Sequence, residues 1–140
     1  MSKANEDLLR RAWAAYDAGD VEGFAACLTE DWREYGPEGP AGGSVDLEHE
    51  IQVMEKNRIA FSDQHTEIHH IVADDNMVAC NCTVTAKHTG PYKGVEATGK
   101  TITYYEMMFN IVRDGKLAET WAMIEGTGIY EQLTGRPAPE

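Results

Sequence analysis

Basic residues are scarce in this sequence: twelve Lys and Arg stand against twenty-four Asp and Glu, for a formal charge of -12 over 140 residues. That balance repels phosphate backbones and excludes nucleic acid and anionic membrane as expected partners. Long apolar runs are missing too, and the N-terminus Met1-Ser2-Lys3-Ala4-Asn5-Glu6 has no apolar signal core, so a cytoplasmic protein without a membrane span is expected. Cysteine is limited to three residues, an odd count. Cys80 and Cys82 lie two apart on one strand face, which suits side-by-side thiols better than a bridge, and all three read as reduced core residues. No Gly-x-Ser-x-Gly elbow supports a nucleophilic triad. No repeat, low-complexity tract or linker divides the chain, so one domain over 1–140 is expected, with a core of about 6–135 and a short tail. A small organic substrate or another protein remains as partner.

What is present is a change of period. Leu8, Leu9, Ala12, Trp13 and Tyr16 recur at helical spacing over 6–17, and Ala18-Gly19-Asp20 ends that helix while capping a short second one over Val21 to Leu28. Trp32 to Tyr35 reads as a brief strand, and Gly36 to Gly43 as an irregular loop. A third helix is expected from about Leu47 to Ala60, capped by Asp46, with Ile51, Met54, Arg58 and Phe61 on one stripe. From Thr66 onward the period is two, with strands near 65–73, 77–88, 100–112 and 116–125. Helices first and strands afterward make the fold α+β, with helices packed on one face of a curved sheet.

Within the third of these strands, Tyr104-Tyr105-Glu106-Met107-Met108-Phe109 sets a carboxylate among apolar residues. By alternation Glu106 faces either water or a pocket, and its neighbours depend on the turn at Asp114-Gly115. A two-residue type I′ turn pairs Arg113 with Lys116 and gives Glu106 the face of Trp121, Met123 and Glu125. A three-residue bulged loop pairs Val112 with Lys116 and gives it Ala118, Thr120, Ala122 and Ile124. Periodicity leaves both open. Glu125, before Gly126-Thr127-Gly128, is expected to cap or pair with the terminal turn at Ile129 to Leu133. His65, His69 and His70 do not read as a metal site, because neighbouring residues of a strand point to opposite faces.

The words His88-Thr89-Gly90-Pro91-Tyr92-Lys93-Gly94, Ala97-Thr98-Gly99-Lys100, Asp114-Gly115-Lys116-Leu117-Ala118-Glu119-Thr120-Trp121 and Gln132-Leu133 resemble the SnoaL-like polyketide cyclases. Ala15-Tyr16-Asp17-Ala18-Gly19-Asp20 and Phe61-Ser62-Asp63 are similar to words of the wider nuclear transport factor 2-like superfamily. The resemblance implies a cone-shaped barrel: a strongly curved mixed or antiparallel sheet closed by three N-terminal helices around an internal cavity, with a homodimer contact on the outer sheet face. It favours the bulged register, with Tyr104, Glu106, Met108, Ala118, Thr120 and Ala122 toward the cavity. It implies acid/base chemistry without metal or cofactor, an aldol-type cyclisation, isomerisation or dehydration of a hydrophobic, oxygenated small molecule.

The family's catalytic aspartate falls on Ala122, and two of its cavity histidines fall on Met108 and Thr120. Family amides fall on Glu106 and Glu34, and an aromatic residue of the first helix falls on Tyr16. The resemblance therefore implies a relocated acid, with Glu106, Glu34 and Tyr16 as expected catalytic residues. Trp32, Met54, Tyr104, Met108, Thr120 and Ala122 are the expected substrate-binding wall. Two inward carboxylates titrate as a unit, one donating and one accepting a proton. A binding protein that kept the cavity and lost the acid at Ala122 is the alternative expectation.

Overall fold

The computed structural model describes residues 2–139. The first helix, α1 (Lys3–Ala18), starts where the Ser2 side chain accepts a hydrogen bond from the Asn5 N–H and stops at Gly19, whose φ of 68° lies in the left-handed region. Leu8, Leu9, Ala12 and Trp13 form its buried stripe, each large side chain contributing roughly 1.5–3 kcal/mol by leaving water. Asp20 caps α2 (Val21–Ala26) through the Gly23 N–H, and Asp46 caps α3 (Leu47–Ala60) through the His49 N–H. The second helix is shorter than its period suggests, because Leu28 already belongs to β1 (Leu28–Tyr35).

Five further strands follow: β2 (Val45–Asp46), β3 (Phe61–Ala73), β4 (Met77–His88), β5 (Thr101–Arg113) and β6 (Lys116–Glu125). They form one curved, open sheet in the order β2-β1-β6-β5-β4-β3, with β1 parallel to β6 and every other pair antiparallel. The sheet does not close on itself as a barrel; the helices pack across its concave face. The clearest alternation is in β4, where Val78, Cys80, Cys82, Val84 and Ala86 are all buried. All three cysteines are buried and free.

The β5–β6 hairpin combines the two registers that the sequence leaves open. Asp114 and Gly115 have φ of 53° and 72°, a type I′ turn, and Arg113 pairs with Lys116. One step later Val112 pairs with Leu117 but Ile111 pairs with Glu119, so Ala118 is an extra residue in β6. This bulge flips the rest of the strand. Asn110 then faces Thr120, Met108 faces Ala122 and Glu106 faces Ile124, while Trp121 and Met123 pair with Phe109 and Met107 on the outer face.

A second bulge, between Ile68 and His70, changes the reading of the histidines. The two neighbours do not point to opposite faces: His69 Nε2 meets Thr83 Oγ1 at 2.7 Å and His70 Nδ1 meets Asn81 Oδ1 at 3.1 Å, both on the outer side. Among the described residues no group of three or more His, Cys, Asp and Glu is placed to hold a metal ion, and no helix is long and apolar enough to cross a membrane.

The segment between β4 and β5 folds back over the end of α3. A Cβ at Gly90 would stand 2.0 Å from the Ile59 carbonyl oxygen, so only glycine permits this approach. The same segment is pinned by His88, whose Nδ1 accepts the Thr98 backbone N–H at 3.1 Å. Tyr92 is thereby brought to the mouth of the cavity. A last helix, α4 (Ile129–Thr134), buries Leu133 beside Phe61 and Ile102.

Candidate functional site

Helices and sheet line a cavity of about 400 Å³ that is open to solvent on one side. Because β5 alternates, Ile102, Tyr104, Glu106, Met108 and Asn110 all face into it. β1 adds Trp32 and Glu34, two residues apart and so on one face, and β6 adds Leu117 before the bulge and Thr120 and Ile124 beyond it. From the helices come Trp13 and Tyr16 on α1, Phe24 on α2, and Glu50, Val53 and Asn57 on one side of α3.

Glu106 is 6% exposed, and among the described residues its carboxyl group has neither a hydrogen bond nor an ion pair. Burial pushes its pKa up to about 8, with further upward contributions from Glu34, Cys80 and Glu50. Glu34 is raised to about 7, first by burial and then by Glu50. Glu50 is also raised by burial, against the opposing effects of the Tyr16 hydrogen bond and His49. The Tyr16 hydroxyl donates to Glu50 Oε1 at 2.8 Å. Burial lifts both Tyr16 and Tyr104 well above the ordinary phenol value, and nearby carboxylates add to the effect. Near neutral pH the site therefore holds a mostly protonated acid at Glu106 beside a half-ionised one at Glu34.

A chain of buried polar groups forms one wall. Trp32 Nε1–H donates to Thr120 Oγ1 at 2.9 Å, the Thr120 hydroxyl donates to Asn110 Oδ1 at 2.6 Å, and Asn110 Nδ2 donates to the Val78 carbonyl. Every partner of Thr120 is thus protein. Its hydroxyl joins the Trp32 indole to Asn110 within the cavity wall.

Of the residues expected from sequence, Tyr16, Trp32, Glu34, Tyr104, Glu106, Met108 and Thr120 come together on the cavity. Met54 is buried in the core and borders a smaller recess beside α1 and β3. Ala122 lies on the inner face opposite Met108 but packs against the core, outside the cavity lining. Glu125 does not cap α4, which Gly128 caps without a side-chain hydrogen bond, and stands instead at the cavity rim. Glu50 and Asn110 were not among the expected residues. Asn110 continues the even series of β5, so the periodicity that selects Glu106 also points to it, whereas Glu50 lies off the stripe expected for α3 and carries no such signal.

The sequence model of the SnoaL-like polyketide cyclases matches residues 6–133. No curated protein matches the chain. Among solved structures, AclR of Streptomyces galilaeus, described as a candidate hydroxylase, is 28% identical with a TM-score of 0.83, over 98% of this chain and 89% of that one. A candidate polyketide cyclase of Acidithiobacillus ferrooxidans is 25% identical with a TM-score of 0.76, over 96% of both chains. IdmH of Streptomyces antibioticus, at 24% identity and a TM-score of 0.74 over 89% of this chain and 93% of its own, shares the fold. A cavity-bearing α+β sheet of this topology, matched by the family's sequence pattern over nearly its whole length, places the chain in the SnoaL-like polyketide cyclase family.

Proposed function

We propose that this chain is a cofactor-independent enzyme that performs general acid/base chemistry on a polyketide-like molecule in its cavity. The observation that carries the reading is Glu106, a buried carboxyl without a protein partner, electrostatically coupled to Glu34. In this mechanism ionised Glu34 removes a proton alpha to a substrate carbonyl while protonated Glu106 donates to the carbonyl oxygen. The enol so formed attacks a second carbonyl, shifts a double bond or expels water. Tyr104, whose hydroxyl has no protein partner among the described residues, offers a further donor to the developing oxyanion, and Tyr16 acts through its pair with Glu50.

Exchange of the C1 protons of 2-tetralone in D2O tests this without knowledge of the natural substrate. The wild-type protein accelerates exchange, and Glu106→Gln lowers the rate by about 10²–10⁴-fold with tetralone affinity nearly intact. An undiminished rate in the variant refutes the assignment. The alternative, a binding protein without catalysis, is favoured by Ala122 at the family's acid position, and bound tetralone with no exchange in the wild type would establish it.

A homodimer is part of the same proposal. Tyr105, Met107, Phe109 and Met123 are 53%, 62%, 59% and 45% exposed and adjoin one another on the outer face of β5 and β6. A contiguous apolar patch of this kind is unusual on a monomer and suits a second copy of the chain.

A further inference from the structure

The charge on the cavity wall is of one sign. Glu34, Glu50, Glu106 and Glu125 line it, and among its described lining residues there is no Lys, Arg or His. One carboxyl pair suffices for the acid/base chemistry above and the Tyr16 hydroxyl holds Glu50, which leaves Glu125 at the rim as a further negative charge without a role. A buried carboxyl left unpaired is costly, and neither Glu34 nor Glu106 has a hydrogen-bond partner among the described protein groups. Trp13, Tyr16, Phe24, Trp32, Phe61 and Tyr104 border the space, and a cation is attracted to the face of such a ring.

We propose that the ligand of this cavity carries a basic nitrogen and binds as its ammonium form, seated between the Glu34 and Glu106 carboxylates and the aromatic rings. The inference rests on the cavity being the ligand site and deepens the substrate class from polyketide-like to aminated. A carboxylate or phosphate would find no cation to meet. A neutral ketone would accept from protonated Glu106 but leave the ionised form of Glu34 without a counter-charge. An ammonium group completes both the carboxylate pair and the ring quadrupoles, and the overall charge of -12 draws cations toward the molecule.

Three probes of one shape test this: 2-naphthylmethylamine, 2-naphthylmethanol and 2-naphthoate, with affinity read at pH 7.5 from quenching of the tryptophan emission. The amine binds about tenfold or more tightly than the alcohol, and the naphthoate most weakly. In the Glu34→Gln/Glu106→Gln double variant the preference for amine over alcohol falls to about one while alcohol binding is retained. Each single variant lowers it partway, which serves if the double variant does not fold. Glu67→Gln, on the exposed outer face, leaves the preference unchanged. Equal or tighter binding of the alcohol by the wild type overturns the proposal, as does a preference that survives in the double variant or that Glu67→Gln removes equally. Tetralone exchange without amine preference defeats this inference alone, and amine preference without exchange defeats the catalytic reading alone.

Discussion

Replacing Glu106 by Gln should stabilise the protein in alkaline solution while changing little in acid. Glu106 has a folded-state pKa of about 8 against an ordinary value of 4.5, so between those values the folded chain holds a proton that the unfolded chain has released. The stability associated with that proton is fully present below about pH 4.5 and is lost as pH rises through about 8. The full interval corresponds to at most about 5 kcal/mol. Part of it belongs to the interaction with Glu34, and water entering the cavity reduces it further, so about half that ceiling, roughly 2–3 kcal/mol, is expected at pH 9. Gln has the shape of the protonated acid and no charge to desolvate. Urea denaturation followed by tryptophan emission at pH 5, 7 and 9 measures the effect. The variant should match the wild type within about 1 kcal/mol at pH 5 and exceed it at pH 9, a gain of roughly 3 °C in Tm per kcal/mol for a chain of this size. Parallel stability profiles for the two proteins would refute the account of Glu106 as a desolvated acid.

Thr120→Val should cost about 2–3 kcal/mol in the same assay, because it strips the buried Trp32 Nε1–H and Asn110 Oδ1 of their shared partner. Thr120→Ser, which retains the hydroxyl, should cost clearly less, and equal losses would contradict the role given to that chain. Phe109→Asp, at the centre of the outer patch, should convert a dimer of about 31 kDa to a monomer in light scattering, since a charge there is desolvated on pairing. A wild-type protein that is monomeric at high concentration removes the homodimer from the proposal.

Much of this arrangement is legible from the sequence because it is local. Ser, Asp and Gly at helix ends act within three residues, and Asp20, Asp46 and Gly19 do what their positions imply. The alternation of β5 groups Glu106 with Tyr104 and Met108 on one face, and the family resemblance, not the alternation, points that face inward. What escapes is set by single-residue irregularities. The turn chemistry of Asp114-Gly115 specifies a type I′ hairpin, but the extra residue at Ala118 is a response to the sheet's curvature and has no letter of its own. The bulge beside His69 reverses a histidine for the same reason. On α3 the expected stripe of Ile51, Met54, Arg58 and Phe61 is displaced toward Glu50, Val53 and Asn57. That helix has little apolar asymmetry to fix its rotation, and tertiary packing against the cavity decides it. Glu50 was consequently hidden, while its tyrosine partner, on a strongly patterned helix, was not.

The central claim is that a carboxylic acid stays protonated in the cavity near neutral pH. Titration of the Glu side-chain 13Cδ resonances by NMR, assigned through Glu106→Gln and Glu34→Gln, reads that state directly. The account predicts a midpoint of about 8 for Glu106 and about 7 for Glu34, with the Glu106 midpoint falling when Glu34 is replaced by Gln. Titration of both residues at the ordinary value of 4.5, or a Glu106 midpoint indifferent to Glu34, would contradict it.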